Sequence, residues 1–149
     1  MTTTAPNAQA WLAKEATSLG PFVVRLDGDR IGTAVAPGHW VVAVDASGGV
    51  KRVGRILRIR TDLQATTLYF DKLHVVKKTG SLTDIGLTLP QGLVTRLRPE
   101  DLSAVLARDG VSSPDDIPLI QDAAYVRELL ELATRDDLLG PANGPEELV

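Results

Sequence analysis

Between Pro21 and Gly80 apolar residues recur at alternate positions in four short runs: "FVVRL" (Phe22–Leu26), "HWVVAVD" (His39–Asp45), "KRVGRILRIR" (Lys51–Arg60) and "TTLYFDKLHVV" (Thr66–Val76). All are rich in β-branched and aromatic side chains, and each is set off by a break, three of which, "DGDRIG", "APG" and "ASGG", contain glycine. Such runs predict strands. Side chains alternate across a strand, so Trp40, Val42 and Val44 are expected on one face, Leu57 with Ile59 on another, and Leu68 with Phe70 on a third. "DASGG" (Asp45–Gly49) predicts a hairpin tip. Gly54, inside the third run, predicts a bulge or bend. Four or five short strands with few helical signals between them predict a small, strongly bent sheet or barrel, which resolves its edges by closing or nearly closing.

The period changes after Gly80. "SLTDIGLTLPQGLVTRL" is ambiguous. "RPEDLSAVLARDG" predicts a short helix: Pro99 suits the first turn, Glu100 and Asp101 favour its positive end, Gly110 ends it, and Leu102, Val105 and Leu106 make the apolar stripe. "PLIQDAAYVRELLELATRDDLLG" predicts a second helix, with Ile120, Ala124, Leu130 and Ala133 at helical spacing. "AQAWLAKEA" reads as a helix whose Trp11 docks on the barrel. The expected organisation is an N-terminal helix or arm over 1–20, a β-barrel over 21–80, a helical segment packed on the barrel over 81–139, and a Gly/Pro-rich linker over 140–149. The fold class is α+β.

Composition sharpens this reading. At 44% hydrophobic and 23% charged residues the chain is expected to be globular, and with only 4% aromatics its core must be aliphatic. No run approaches the length of a membrane span, and no signal peptide is visible, so a cytoplasmic protein without a membrane partner is expected. The net charge of −3 conceals a segregation: ten Lys and Arg face five Asp and Glu from Pro21 to Gly80, and five face thirteen from Ser81 to Val149. A basic half and an acidic half imply surfaces with different partners.

The basic half centres on "VKRVGRILRIRTD", where alternation beyond Gly54 puts Arg55, Leu57 and Ile59 on one face and Ile56, Arg58 and Arg60 on the other. Two readings compete. Either the arginines are a solvated face that shields an edge and pairs with Asp62 or Asp71, or they form a phosphate-tracking ribbon. In the second reading Lys51, Arg52, Arg55, Arg58 and Arg60 contact phosphates and Lys77 and Lys78 extend the patch. Tyr69, out of register with Leu68 and Phe70, is then the candidate exposed ring, and Trp40 is either a base-stacking ring or a core residue. The absence of cysteine excludes thiolate zinc sites and thiol nucleophiles. His39 and His74 lack neighbouring ligands in sequence, and neither a phosphate loop nor a nucleophile elbow is present, so no metal, no cofactor and no catalysis are expected.

Two stretches resemble known families. "GHWVVAVDASGGVKRVGRILRI…TTLYFD" resembles the curved strands of PUA-like domains, including the EVE and ASCH branches, and more loosely SH3-like barrels. That likeness implies recognition of RNA or of modified bases in DNA. "ATRDDLLGPANGPEELV" (Ala133–Val149) resembles the "DLLGP-x-x-GP-E-E" segment of the helicase subunits of DISARM-type anti-phage defence systems, with Asp137 to Pro141, Gly144, Pro145, Glu146 and Glu147 in place. It implies a fragment of a larger DNA-processing defence protein, a nucleic-acid partner with DNA ahead of RNA, and a helicase motor domain or sister subunit as the alternative partner.

Overall fold

The computed structural model describes residues 9–139 apart from 19, 21, 29–34, 63, 79 and 91. The linker expected over 140–149, most of the "DLLGP" motif and the first eight residues lie outside the described residues. The chain divides into two compact units, 1–119 and 120–149.

The first unit is built on one mixed sheet of strands β1 (Ala10–Lys14), β2 (Thr17–Ser18), β3 (Val23–Leu26), β4 (Trp40–Val44), β5 (Val50–Thr61), β6 (Thr66–Val75) and β7 (Val94–Leu97). Their spatial order is β2-β3-β6-β5-β4-β1-β7; six are strands of four residues or more, and β2 adds a two-residue pairing at one edge. Among the described residues only β1 and β4 run parallel; the other ladders are antiparallel. The sheet curls into a half-barrel, and two helices follow it: an α+β fold.

One sheet face carries Leu12, Trp40, Val42, Val44 and Val53, which pack in a single cluster with Leu97 and Ile117 and with Leu102, Val105 and Leu106 of helix α1 (Pro99–Arg108). Proline at its first position and Glu100 and Asp101 in its first turn start α1 as expected, and Gly110 adopts a φ of +80° just beyond it. The opposite face is buried as well: Val24, Leu26, Val41, Ile56, Leu68 and Phe70 are all nearly inaccessible. A sheet whose two faces are both dry needs a helix layer on one side and its own curl on the other.

Curvature has a local cause. The β5 ladders shift register between Ala43 and Val44, between Arg55 and Ile56, and between Ile56 and Arg58. At Gly54 a Cβ would lie 2.5 Å from Cγ of Phe70, so the Phe70 ring occupies the space a side chain would need. Bulges bend and twist a strand.

Two expectations are overturned here. "AQAWLAKEA" is not a helix but contributes β1, inserted between β4 and β7. Ala10 to Ala13 are buried on both faces, so they form a continuous apolar run rather than an alternating one, and periodicity does not separate such a strand from a buried helix. Trp11 is accordingly a strand residue. Leu57, expected inside with Ile59, is 43% exposed while Ile56 is 1% exposed, because the bulge at this point resets the alternation.

In the second unit, α2 (Ala123–Leu139) begins where the Asp122 carboxylate accepts the Tyr125 amide at 3.0 Å. The predicted stripe is rotated. Tyr125 and Leu132, seven residues apart, are buried, whereas Leu130 is 64% exposed.

Candidate nucleic-acid interface

The basic strand β5 lies between β4 and β6, so each of its arginines meets a different environment. Arg52 is 8% exposed: Nη2 donates to both carboxylate oxygens of Glu15 at 3.1 and 3.2 Å, and Nη1 donates to the Gly20 carbonyl at 2.8 Å. This guanidinium is a structural cross-link and is lost to the predicted phosphate contacts. Arg55 makes a two-pronged pair with Asp71, Nε to Oδ1 at 2.9 Å and Nη2 to Oδ2 at 2.7 Å. The Asp71 hydrogen bond, outweighing burial, raises its already high pKa. Arg55 therefore follows the competing reading, in which the strand's arginines pair with nearby carboxylates.

Beyond the bulge the ladder sets two rows across three strands. Val23, Tyr69 and Arg58 lie opposite one another, and Arg25, Thr67 and Arg60 form the next row. Residues directly opposite in an antiparallel pair share a face, so three arginines and one tyrosine occupy a single small field. Val24, Leu68 and Ile59 form the alternate row on the opposite face. Arg58, Arg60 and Tyr69 are half-buried, and Arg58 and Arg60 each already engage another group of the protein. Arg58 and Arg60 thus share a face as expected, but Ile56 does not join them, since it pairs with the inward-facing Phe70.

Arg25 escaped the sequence reading. Its signal was present in "FVVRL", where it stands between inward-facing Val24 and Leu26. Its charge also helps to hold the Asp62 carboxyl below its usual range, after the amides of Gln64 and Ala65.

The remaining predicted residues are dispersed. Lys51 sits at the β4–β5 hairpin with Nζ 3.4 Å from Asp45. Asp45 closes that turn by accepting the Ser47 hydroxyl at 2.6 Å and the Ser47 and Gly49 amides at 2.9 Å, and these bonds, the Ser47 hydroxyl first, lower its pKa to about 2. Lys77 and Lys78 are exposed, while their backbone amides each donate to Asp109 at 2.8 Å. Trp40 is 4% exposed within the core cluster and presents no face on which a base would stack.

Both histidines have structural partners. His39 Nδ1 accepts from Trp11 Nε1 at 3.1 Å and from the Ala36 amide at 3.2 Å, and its pKa is lowered by burial first and by Arg96 second. Arg96 lies over the Trp11 ring at 5.7 Å. His74 Nε2 is 2.7 Å from the buried Asp109 carboxylate. Among the described residues no group of three or more His, Cys, Asp or Glu is placed to hold a metal, and no helix is long and apolar enough to cross a membrane. No protein-family model matches the chain, and no match to it is found among curated proteins.

Proposed function

We propose that the curled sheet is a non-catalytic nucleic-acid-binding module of a larger DNA-processing phage-defence protein, with DNA ahead of RNA as its ligand. The observation that carries this reading is the double row in which Arg25, Arg58 and Arg60 surround Tyr69 on one face. Adjacent strands stand about 4.8 Å apart and alternate residues about 7 Å apart along a strand, so the three cationic groups span the length of one or two nucleotides. An aromatic ring among them provides a surface for base stacking. A phosphate would compete for Arg58 and Arg60 with the groups they already engage, which favours a modest, strongly salt-dependent affinity. The defence context rests on the likeness of Ala133–Val149 to the "DLLGP" segment.

The test is fluorescence anisotropy with short single-stranded and duplex oligonucleotides across a salt series. Arg25→Glu combined with Arg60→Glu is expected to abolish binding at low salt. Arg25→Ala alone should reduce the slope of log K against log salt by about 0.7 to 0.9. Absence of binding even at low salt would remove the reading.

A second reading, a protein-docking domain of a helicase or restriction complex, draws on the internal pairing of Arg52 and Arg55 and on an exposed apolar pair of α2, Val126 and Leu130, one turn apart. It is favoured if wild-type protein ignores nucleic acid.

A further inference from the structure

In the first unit, where β6 ends beside the segment that follows α1, a hollow of about 280 Å³ has apolar walls from Val111, Ile117 and Pro118 and three polar side chains, His74, Ser112 and Asp116. The ring of His74 is fixed from outside the hollow. Asp109 accepts the Lys77 and Lys78 amides at 2.8 Å and lies 2.7 Å from His74 Nε2. Burial alone would raise the Asp109 pKa, but these three donors together lower it, so the carboxylate is ionised and Nε2 carries the hydrogen between them. In the tautomer that this contact sets, Nδ1 is the acceptor. Among the described residues, His74 Nδ1, the Ser112 hydroxyl and the Asp116 carboxylate have no hydrogen-bond partner.

We infer that this hollow binds a guanine base carrying a phosphate. The inference rests on the nucleic-acid reading and narrows its ligand. A flat ring suits apolar walls, and its edge must match a carboxylate, which only accepts. Guanine presents its ring N1–H and exocyclic amino group side by side, two parallel donors for two carboxylate oxygens. Adenine and cytosine place an acceptor beside the amino group, and uracil and thymine flank their one N–H with carbonyls. Each of those would set an acceptor against Asp116. The second amino hydrogen is available to His74 Nδ1. Lys77 and Lys78, three and four residues beyond His74 and tied by their amides to the same Asp109, are exposed, and the inference assigns the phosphate to their ammonium groups.

The test is calorimetric titration of the full chain with GMP, AMP, CMP and UMP at low salt. GMP is expected to bind at least about tenfold tighter than the others, the factor carried by one charge-assisted hydrogen bond. Asp116→Asn should erase that preference, because its amide turns a donor toward a donor; Asp116 is exposed, so the substitution leaves the core intact. GMP binding no tighter than AMP, or a preference that survives Asp116→Asn, overturns the inference. Oligothymidine with and without one central guanine identifies the source. A tighter complex with the guanine strand places the ligand in nucleic acid; selective GMP binding without that gain supports a free nucleotide. Oligonucleotide binding with no guanine preference in either assay sinks the hollow while sparing the arginine face.

Discussion

Replacing Gly54 with alanine tests the origin of the sheet's curl. The added Cβ would stand 2.5, 2.6 and 2.8 Å from Cγ, Cδ2 and Cδ1 of Phe70, against the roughly 3.5–4.0 Å at which carbons attract. Neither side has room to yield. Gly54 is held between Val41 and Leu73 on its two neighbouring strands, and Phe70 is fully buried. Overpacking of this kind costs about 1–3 kcal/mol, and three overlapping ring atoms place it at the upper end. Against this stands a gain of about 0.4–1 kcal/mol from restricting the unfolded chain, since Gly54 has no positive φ that alanine would resist. A net loss of about 2 kcal/mol is expected in urea denaturation followed by tryptophan fluorescence. The control is a double-mutant cycle with Phe70→Leu, in which the pair should be less destabilised than the sum of the singles by at least about 1 kcal/mol. A Gly54→Ala protein as stable as wild type, or strict additivity with Phe70→Leu, would refute the steric account of the bend.

Three further outcomes follow from ionisable groups held in partly or fully buried contacts. Arg52→Ala strands the Glu15 carboxylate in the interior and should cost about 3–5 kcal/mol, while Arg52→Met with Glu15→Leu should recover most of it; equal losses in denaturant melts would count against the pair. His39 is held below its usual pKa, so the folded state binds its proton less readily than the unfolded state. Its contribution to stability should be complete above about pH 6.5 and decline as pH falls through that value, and His39→Gln should flatten thermal melts across this interval. Asp109 is also held low and stabilises above about pH 4, so the penalty for Asp109→Asn should be largest there and shrink on further acidification, with an unchanging penalty at acid pH as the contrary result.

How far the sequence could be read depended on whether a residue's neighbours along the chain determined its setting. Trp40, Val42 and Val44 alternate with one another and share the core face, and Pro99, Glu100 and Gly110 mark α1 by local chemistry alone. The strand at Ala10–Lys14 was illegible because its partners, β4 and β7, lie far along the chain and bury both of its faces. At Leu57 a single bulge exchanged inside and outside, and nothing in "RILRI" records that slip. The candidate interface shows the same limit. Arg52 and Arg58 look alike in the sequence, yet Arg52 is claimed by Glu15, 37 residues away, while Arg25 joins Arg60 only through the pairing of β3 with β6 and of β6 with β5.

The placement of β1 bears on how the protein is made. Its neighbours are Trp40–Val44, alongside in parallel, and Val94–Leu97, so β1, synthesised before either, has no template until β4 of the β4–β5–β6 meander exists and waits longer still for its second neighbour. The meander closes through short connections, whereas docking β1 requires long loops to be gathered first, at an entropic cost that slows the step. Until then "AWLA" remains an uncovered apolar segment on a nascent chain, the kind of segment that holdase chaperones bind and that drives misassembly when they are scarce.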